Sequence, residues 1–128
     1  MRILLDTHIL IWAADDKLPP KALPIILDKT NILLFSPASI WEIVIKYNIK
    51  RANFSGNPSS LYNALISAGY QELPINGRHA LHVLTLPLLH KDPFDRILLA
   101  QAAYEGIPFM TSDNLLSKYS DSIIFIEK

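Results

Sequence analysis

Cysteine is absent from the chain, which excludes disulfides, thiolate metal sites and a cysteine nucleophile. The absence fits a reducing cytoplasm. Long apolar runs are also missing. Met1-Arg2 is followed by Ile3-Leu4-Leu5, and Asp6 ends the run at once. A secretory signal needs a longer hydrophobic region, and no stretch approaches a membrane span. The expectation is a soluble, cytoplasmic protein with no membrane partner. Neither sign of charge is in excess, because twelve basic and twelve acidic side chains leave a formal net charge of zero. Nucleic-acid binders usually show a basic surplus, so this balance counts mildly against RNA or DNA as a partner. It does not forbid local separation. Lys46, Lys50 and Arg51 form one basic cluster and His90, Lys91 and Arg96 another, each also readable as a solvated helix face. Repeats, low-complexity tracts and linkers are lacking, and the loosest stretch, residues 53–58, reads as a loop inside the domain.

What is present is core. Half of the 128 residues are hydrophobic and 19% are charged, which suits one packed domain over residues 1–128. Residues 2–5 and 31–35 are short, continuous apolar runs of the kind found in buried strands. Residues 72–74, 108–111 and 122–126 read as three more strands. Helices are expected over 7–14, from Pro19-Pro20 through Leu27, and from Ser36-Pro37 to about Lys50 with Ile40, Val44 and Tyr47 facing inward. Further helices are expected over 59–68, over 77–84 and from Asp92-Pro93 to Gly106, with a single turn over 115–119. Ser36-Pro37 and Asp92-Pro93 each supply a cap followed by proline at the first helical position. Apolar strands alternating with helices indicate an α/β domain whose parallel sheet is covered on both faces.

In such sheets the ligand crevice lies beyond the carboxyl ends of the strands. Asp6 directly follows the first strand and Asp113 follows the 108–111 strand. Glu42 lies in the second turn of the helix leaving the second strand, and Asp95 lies in the first turn of the helix before the 108–111 strand. A right-handed parallel topology would bring both strand ends and both helix starts to one rim. Two carboxylates about 4 Å apart repel by roughly 4 kcal/mol at an effective dielectric near 20. Such a cluster persists by protonation or by holding a cation, and hard oxygen donors select Mg²⁺ or Mn²⁺. A cation held there can polarise a phosphoryl oxygen and acidify a water for in-line attack, which is phosphodiester hydrolysis.

Each acid also has an ordinary explanation. Asp6 and Asp92 can cap helices, Asp95 can favour the positive helix end, and Asp113 can be a turn residue beside Asn114. Glu42, between Trp41 and Ile43, is harder to dismiss, because an unpaired charge in an apolar helix is costly. Thr7, Thr111 and Ser112 flank the acids and suit either hydrogen bonding to the site or simple turn chemistry. His8 and His90 read more readily as surface or packing residues than as general bases.

Four motifs in order carry a resemblance: Leu4-Leu5-Asp6-Thr7-His8, then residues 36–43 (SPASIWEI), then residues 90–96 (HKDPFDR), then Thr111-Ser112-Asp113. Together they resemble the PIN-domain ribonucleases, and within these the VapC-type toxins of bacterial toxin–antitoxin systems, over essentially the whole chain. The resemblance implies a five-stranded parallel sheet and Mg²⁺- or Mn²⁺-dependent endoribonuclease activity. By motif matching it places Asp6, Glu42, Asp95 and Asp113 as the acidic metal-binding residues. Asp95 rather than Asp92 matches, since the family's acid directly precedes the apolar helix run; Asp92 is left a supporting place. The resemblance further implies a homodimer held inactive by a VapB-type antitoxin. Lys46, Lys50, Arg51 and Arg96 are the candidates for RNA contact. A haloacid-dehalogenase-like phosphatase would need Asp where His8 stands, and a response-regulator receiver would need an acidic pair after the first strand. The remaining rival is a PIN-like scaffold that binds RNA or protein without cutting.

Overall fold

The computed structural model describes residues 1–50, 56–88 and 91–127, so Arg51, His90 and residues 53–55 of the loop expected at 53–58 lie outside the described residues. Five strands form one sheet: β1 (Arg2–Leu5), β2 (Ile32–Phe35), β3 (Gln71–Glu72), β4 (Phe109–Thr111) and β5 (Ile123–Phe125). Their order is β3-β2-β1-β4-β5, and every pairing is parallel. β1 and β2 are nearly continuous apolar runs because both faces are covered, whereas β3 is the exposed polar pair Gln71-Glu72. Ile3, Leu4 and Leu5 of β1 have no exposed surface, each contributing about 1.5–3 kcal/mol by burial. The pleat separates them. Ile3 and Leu5 join Phe35, Met110, Leu61 and Leu65 on one face. Leu4 joins Leu34, Phe109, Leu98 and Leu99 on the other.

Among the described residues, six α-helices make the crossovers: α1 (Thr7–Ala14), α2 (Leu23–Ile26), α3 (Pro37–Asn48), α4 (Pro58–Ser67), α5 (Gly77–His82) and α6 (Pro93–Glu105). α1 and α4 cover the first face, α6 the second. The expected caps are in place, with Ser36 accepting from the Ala38 N–H at 3.1 Å and Asp92 from the Phe94 N–H at 2.8 Å. α6 stops at Gly106, whose φ of 68° is left-handed and suited to glycine. The chain builds β1, β2 and β3 outward in one direction and then returns to lay β4 against the other side of β1. That reversal opens a crevice beyond the carboxyl ends of β1 and β4, where Asp6 and Asp113 emerge.

Two helical expectations are corrected. The segment after Pro19-Pro20 forms only the single turn of α2, with Leu27 exposed beyond it. The inward face of α3 is Ala38, Ser39, Glu42 and Ile43, whereas Tyr47 is exposed and Ile40 and Val44 are half-buried. The helix is turned because Ser39 and Glu42 find polar partners inside, so a face chosen by apolarity alone is the wrong one. Among the described residues no helix is long and apolar enough to cross a membrane.

Candidate metal centre

Asp6 closes β1 and caps α1, so its backbone is fixed from both sides. Its side chain is 4% exposed; Oδ1 accepts from the Thr7 N–H at 2.6 Å and Oδ2 from the Thr111 hydroxyl at 2.6 Å. Thr111 in turn accepts from the Asp113 N–H at 3.0 Å. One hydroxyl therefore ties the acid after β1 to the acid after β4. Asp113 Oδ1 accepts from the Leu115 N–H at 2.9 Å, so its turn-forming role is real as well.

Glu42 is buried on α3. Its Oε1 lies 2.8 Å from the Thr7 hydroxyl, which is also 2.9 Å from Ser39 Oγ. A carboxylate only accepts, so Thr7 gives Glu42 its single proton and Ser39 supplies the second contact. Glu42 Oε2 pairs with Lys46 Nζ at 3.0 Å, one helical turn on. Ser39 carried no signal in the sequence, because a serine one turn from a helix cap is ordinary.

Asp6, Glu42, Asp92, Asp95 and Asp113 line one pocket of about 230 Å³ with Thr7, His8 and Lys46. Burial, then the negative charges of Asp6, Asp92, Glu42 and Asp113, push Asp95 up to about 8. Burial likewise holds the Asp6 carboxyl above its ordinary range, against the bonds from Thr111 and the Thr7 N–H and the charge of His8. Among the described residues no three His, Asp or Glu side chains are grouped closely enough to hold an ion as they stand. The donor set nevertheless suits one, since hard carboxylates line the same pocket, and the burial and neighbouring negative charge that raise Asp95 are a penalty that a cation would relieve.

The other sequence candidates divide. His8, read as a surface or packing residue, is exposed and borders the pocket. Ser112 is half-buried and is not part of the lining. Lys50 follows α3 in an exposed left-handed turn with φ 58° and is not part of the lining. Arg96 directs its guanidinium to the carbonyls of Pro87 at 3.1 Å and Val83 at 3.3 Å, so it braces the segment before α6. Of the basic candidates described, Lys46 alone lines the carboxylate pocket.

Thr111→Val, which keeps the shape but loses the hydroxyl, strands Asp6 Oδ2 and the Asp113 N–H. The expected result is a loss of about 1–3 kcal/mol in chemical denaturation. A variant as stable as the parent would show that the Thr111 bridge is dispensable.

The domain model for the PIN domain matches residues 3–121. No curated protein sequence matches the chain. Among solved structures, VapBC2 from Rickettsia felis, bound to a DNA fragment from its promoter, is similar with a TM-score of 0.71. The identity is 15%, and 98% of each chain is covered. DNA-bound VapBC from Salmonella typhimurium is similar at a TM-score of 0.70 and 15% identity, covering 98% of this chain and 97% of that one. VapBC-1 from nontypeable Haemophilus influenzae is similar at 0.61 and 17%, covering 94% and 96%. At these identities the likeness is one of fold, and it agrees with the all-parallel sheet. The family match spans nearly the whole chain, and the protein belongs to the PIN domain family.

Proposed function

We propose that this PIN domain is an endoribonuclease dependent on Mg²⁺ or Mn²⁺, and the toxin of a type II toxin–antitoxin pair acting in the cytoplasm. The observation that carries the proposal is the convergence of Asp6, Glu42, Asp95 and Asp113 on one pocket at the topological switch point. Family membership supports it, since VapC-type PIN domains are typically nucleases that use divalent metals. The VapBC likeness of the fold supports a VapB-type antitoxin as partner, and the assembly proposed with it is a homodimer.

Asp6 and Glu42, buried and held by Thr111, Thr7 and Lys46, would be the fixed ligands of the ion. Asp95 and Asp113 complete the set from the starts of α6 and the turn after β4. When bound, the divalent ion supplies Lewis-acid polarisation of the scissile phosphate and a more acidic attacking water. Asp95, raised to about 8 by burial and the neighbouring carboxylates, would release its proton on serving as a ligand. Lys46 sits where the amine can leave Glu42 and face a substrate phosphate.

The test is incubation of the purified protein with RNA and Mg²⁺, followed by sequencing of the cleaved ends. Defined ends that vanish with a chelator are expected, whereas intact RNA or chelator-resistant cleavage would refute the proposal. Lys46 also makes a separate expectation, because its charge competes with the metal for Glu42. Lys46→Ala should bind Mn²⁺ several-fold more tightly in calorimetry at pH 8 while binding RNA more weakly. Unchanged or weaker Mn²⁺ affinity would show that the ion pair serves only the helix.

A further inference from the structure

A cavity of about 300 Å³ lies at the amino ends of β4 and β5, against the last turns of α6. The carboxylate pocket is at the carboxyl ends of the strands, and the two share no lining residue. Buried Leu99, Ile107 and Phe109 make the floor of the cavity, and half-buried Leu86 and Tyr119 stand at its sides. Exposed Ala103 and Ser120 border the mouth. None of the described residues that line it is charged. The Tyr119 hydroxyl is buried and has no hydrogen-bond partner among the described residues. Buried tyrosine hydroxyls ordinarily find one, because stripping the group of water without replacement is costly. Gln101 Oε1 is orphaned in the same way, but Gln101 does not border the cavity.

We propose that this cavity is a binding site for a small neutral aromatic molecule carrying one hydroxyl, and that the hydroxyl pairs with Tyr119. Size, charge and the orphaned group each select the ligand. A dry, apolar cavity of about 150 Å³ holds one benzene ring. The volume here, about 300 Å³, therefore admits a substituted ring or a fused pair. An ionised ligand would lose its hydration with no described countercharge in the lining. A wholly apolar ligand would leave Tyr119 unsatisfied, whereas a hydroxyl both donates and accepts and so suits the tyrosine in either sense. A small rotation of the half-buried ring brings its oxygen to such a ligand.

Phenol and toluene are the probes, because they share a shape and differ by hydroxyl against methyl; benzoate is the charged control. Each is titrated into the full chain, labelled at its leucine and isoleucine methyl groups, and followed by NMR. In a cavity with no partner for it, the phenol hydroxyl costs about tenfold or more in affinity relative to toluene. Here phenol should bind at least as tightly as toluene, with saturable shifts centred on the Leu86, Leu99 and Ile107 methyls. Tyr119→Phe should weaken phenol about tenfold and leave toluene unchanged, and loss of an orphaned hydroxyl leaves the fold intact. Ala103→Phe, at an exposed helix position, should close the mouth and abolish binding of both. Ala103→Leu serves if the phenylalanine variant melts early. Benzoate should cause no shift at these methyls. Phenol that binds far more weakly than toluene, or equally to Tyr119→Phe and its parent, would overturn the proposed pairing. Shifts that do not saturate, that centre on other residues or that survive closure of the mouth would overturn the site itself. Binding is read without RNA, so failure of the nuclease proposal would leave this one standing, and the reverse holds too.

Discussion

Asp6→Asn is expected to lower RNA cleavage by at least about a hundredfold while the protein stays folded, with a melting temperature no lower than that of the parent. The activity loss follows from position. Even groups that only orient a metal ligand cost 10- to 100-fold when removed, and Asp6 is a direct candidate ligand at the centre of the rim. The fold survives for a chemical reason. Asparagine can still accept from the Thr7 N–H through its carbonyl, and its amide can donate to the Thr111 hydroxyl. It also removes a negative charge that burial makes costly. Asp6→Ala is the contrasting variant, expected to lose about 1–3 kcal/mol because the Thr111 hydroxyl and the Thr7 N–H then lack partners. Full activity in Asp6→Asn would refute the assignment.

The second large effect is on pH dependence. In the unfolded chain Asp95 ionises at its ordinary value near 3.8, and in the folded protein it does so at about 8. Between these values the folded state keeps a proton that the unfolded state has lost. Stability of the metal-free protein should therefore fall as pH rises through that window and level off above it. Asp6, raised in the same direction, adds to the slope. Asp95→Asn should flatten the profile and raise stability near pH 8, while cleavage is lost. Mg²⁺ should reverse the trend, binding more tightly as pH approaches 8 and releasing protons as it does. Urea midpoints measured between pH 5 and 9 with and without Mg²⁺ decide the matter. A flat metal-free profile would mean that neither burial nor the neighbouring carboxylates raise Asp95.

β1, β2, β4 and β5 were legible because each is a short, mostly apolar run, and Asp6 and Asp113 because they follow two of those runs; β3, expected at 72–74, is the exposed polar pair Gln71-Glu72, which carries no such signal. Ser36-Pro37 and Asp92-Pro93 marked helix starts that the structure keeps. Less local properties were not legible. The rotation of α3 depends on Thr7, which is distant in sequence and meets Glu42 only after β1 and β2 pair. Ser39 and the Lys46–Glu42 pairing follow from that same rotation. Arg96 offered only its charge in the sequence, and its hydrogen bonds to the Pro87 and Val83 carbonyls are marked by no sequence pattern. The ordinary and the chemical readings of the acids proved compatible. Asp6 and Asp92 do cap helices and Asp113 does form a turn, yet all three border the same pocket. Capping holds these carboxylates at the rim, so it positions them for a cation.

The most direct measurement is anomalous diffraction from crystals of the protein soaked in Mn²⁺. A peak within coordination distance of Asp6, Glu42, Asp95 and Asp113 oxygens is expected, and it should vanish in Asp6→Asn crystals. A saturating soak that leaves the space between these side chains without a peak, or a peak that persists in the variant, would contradict a common cation held by the four.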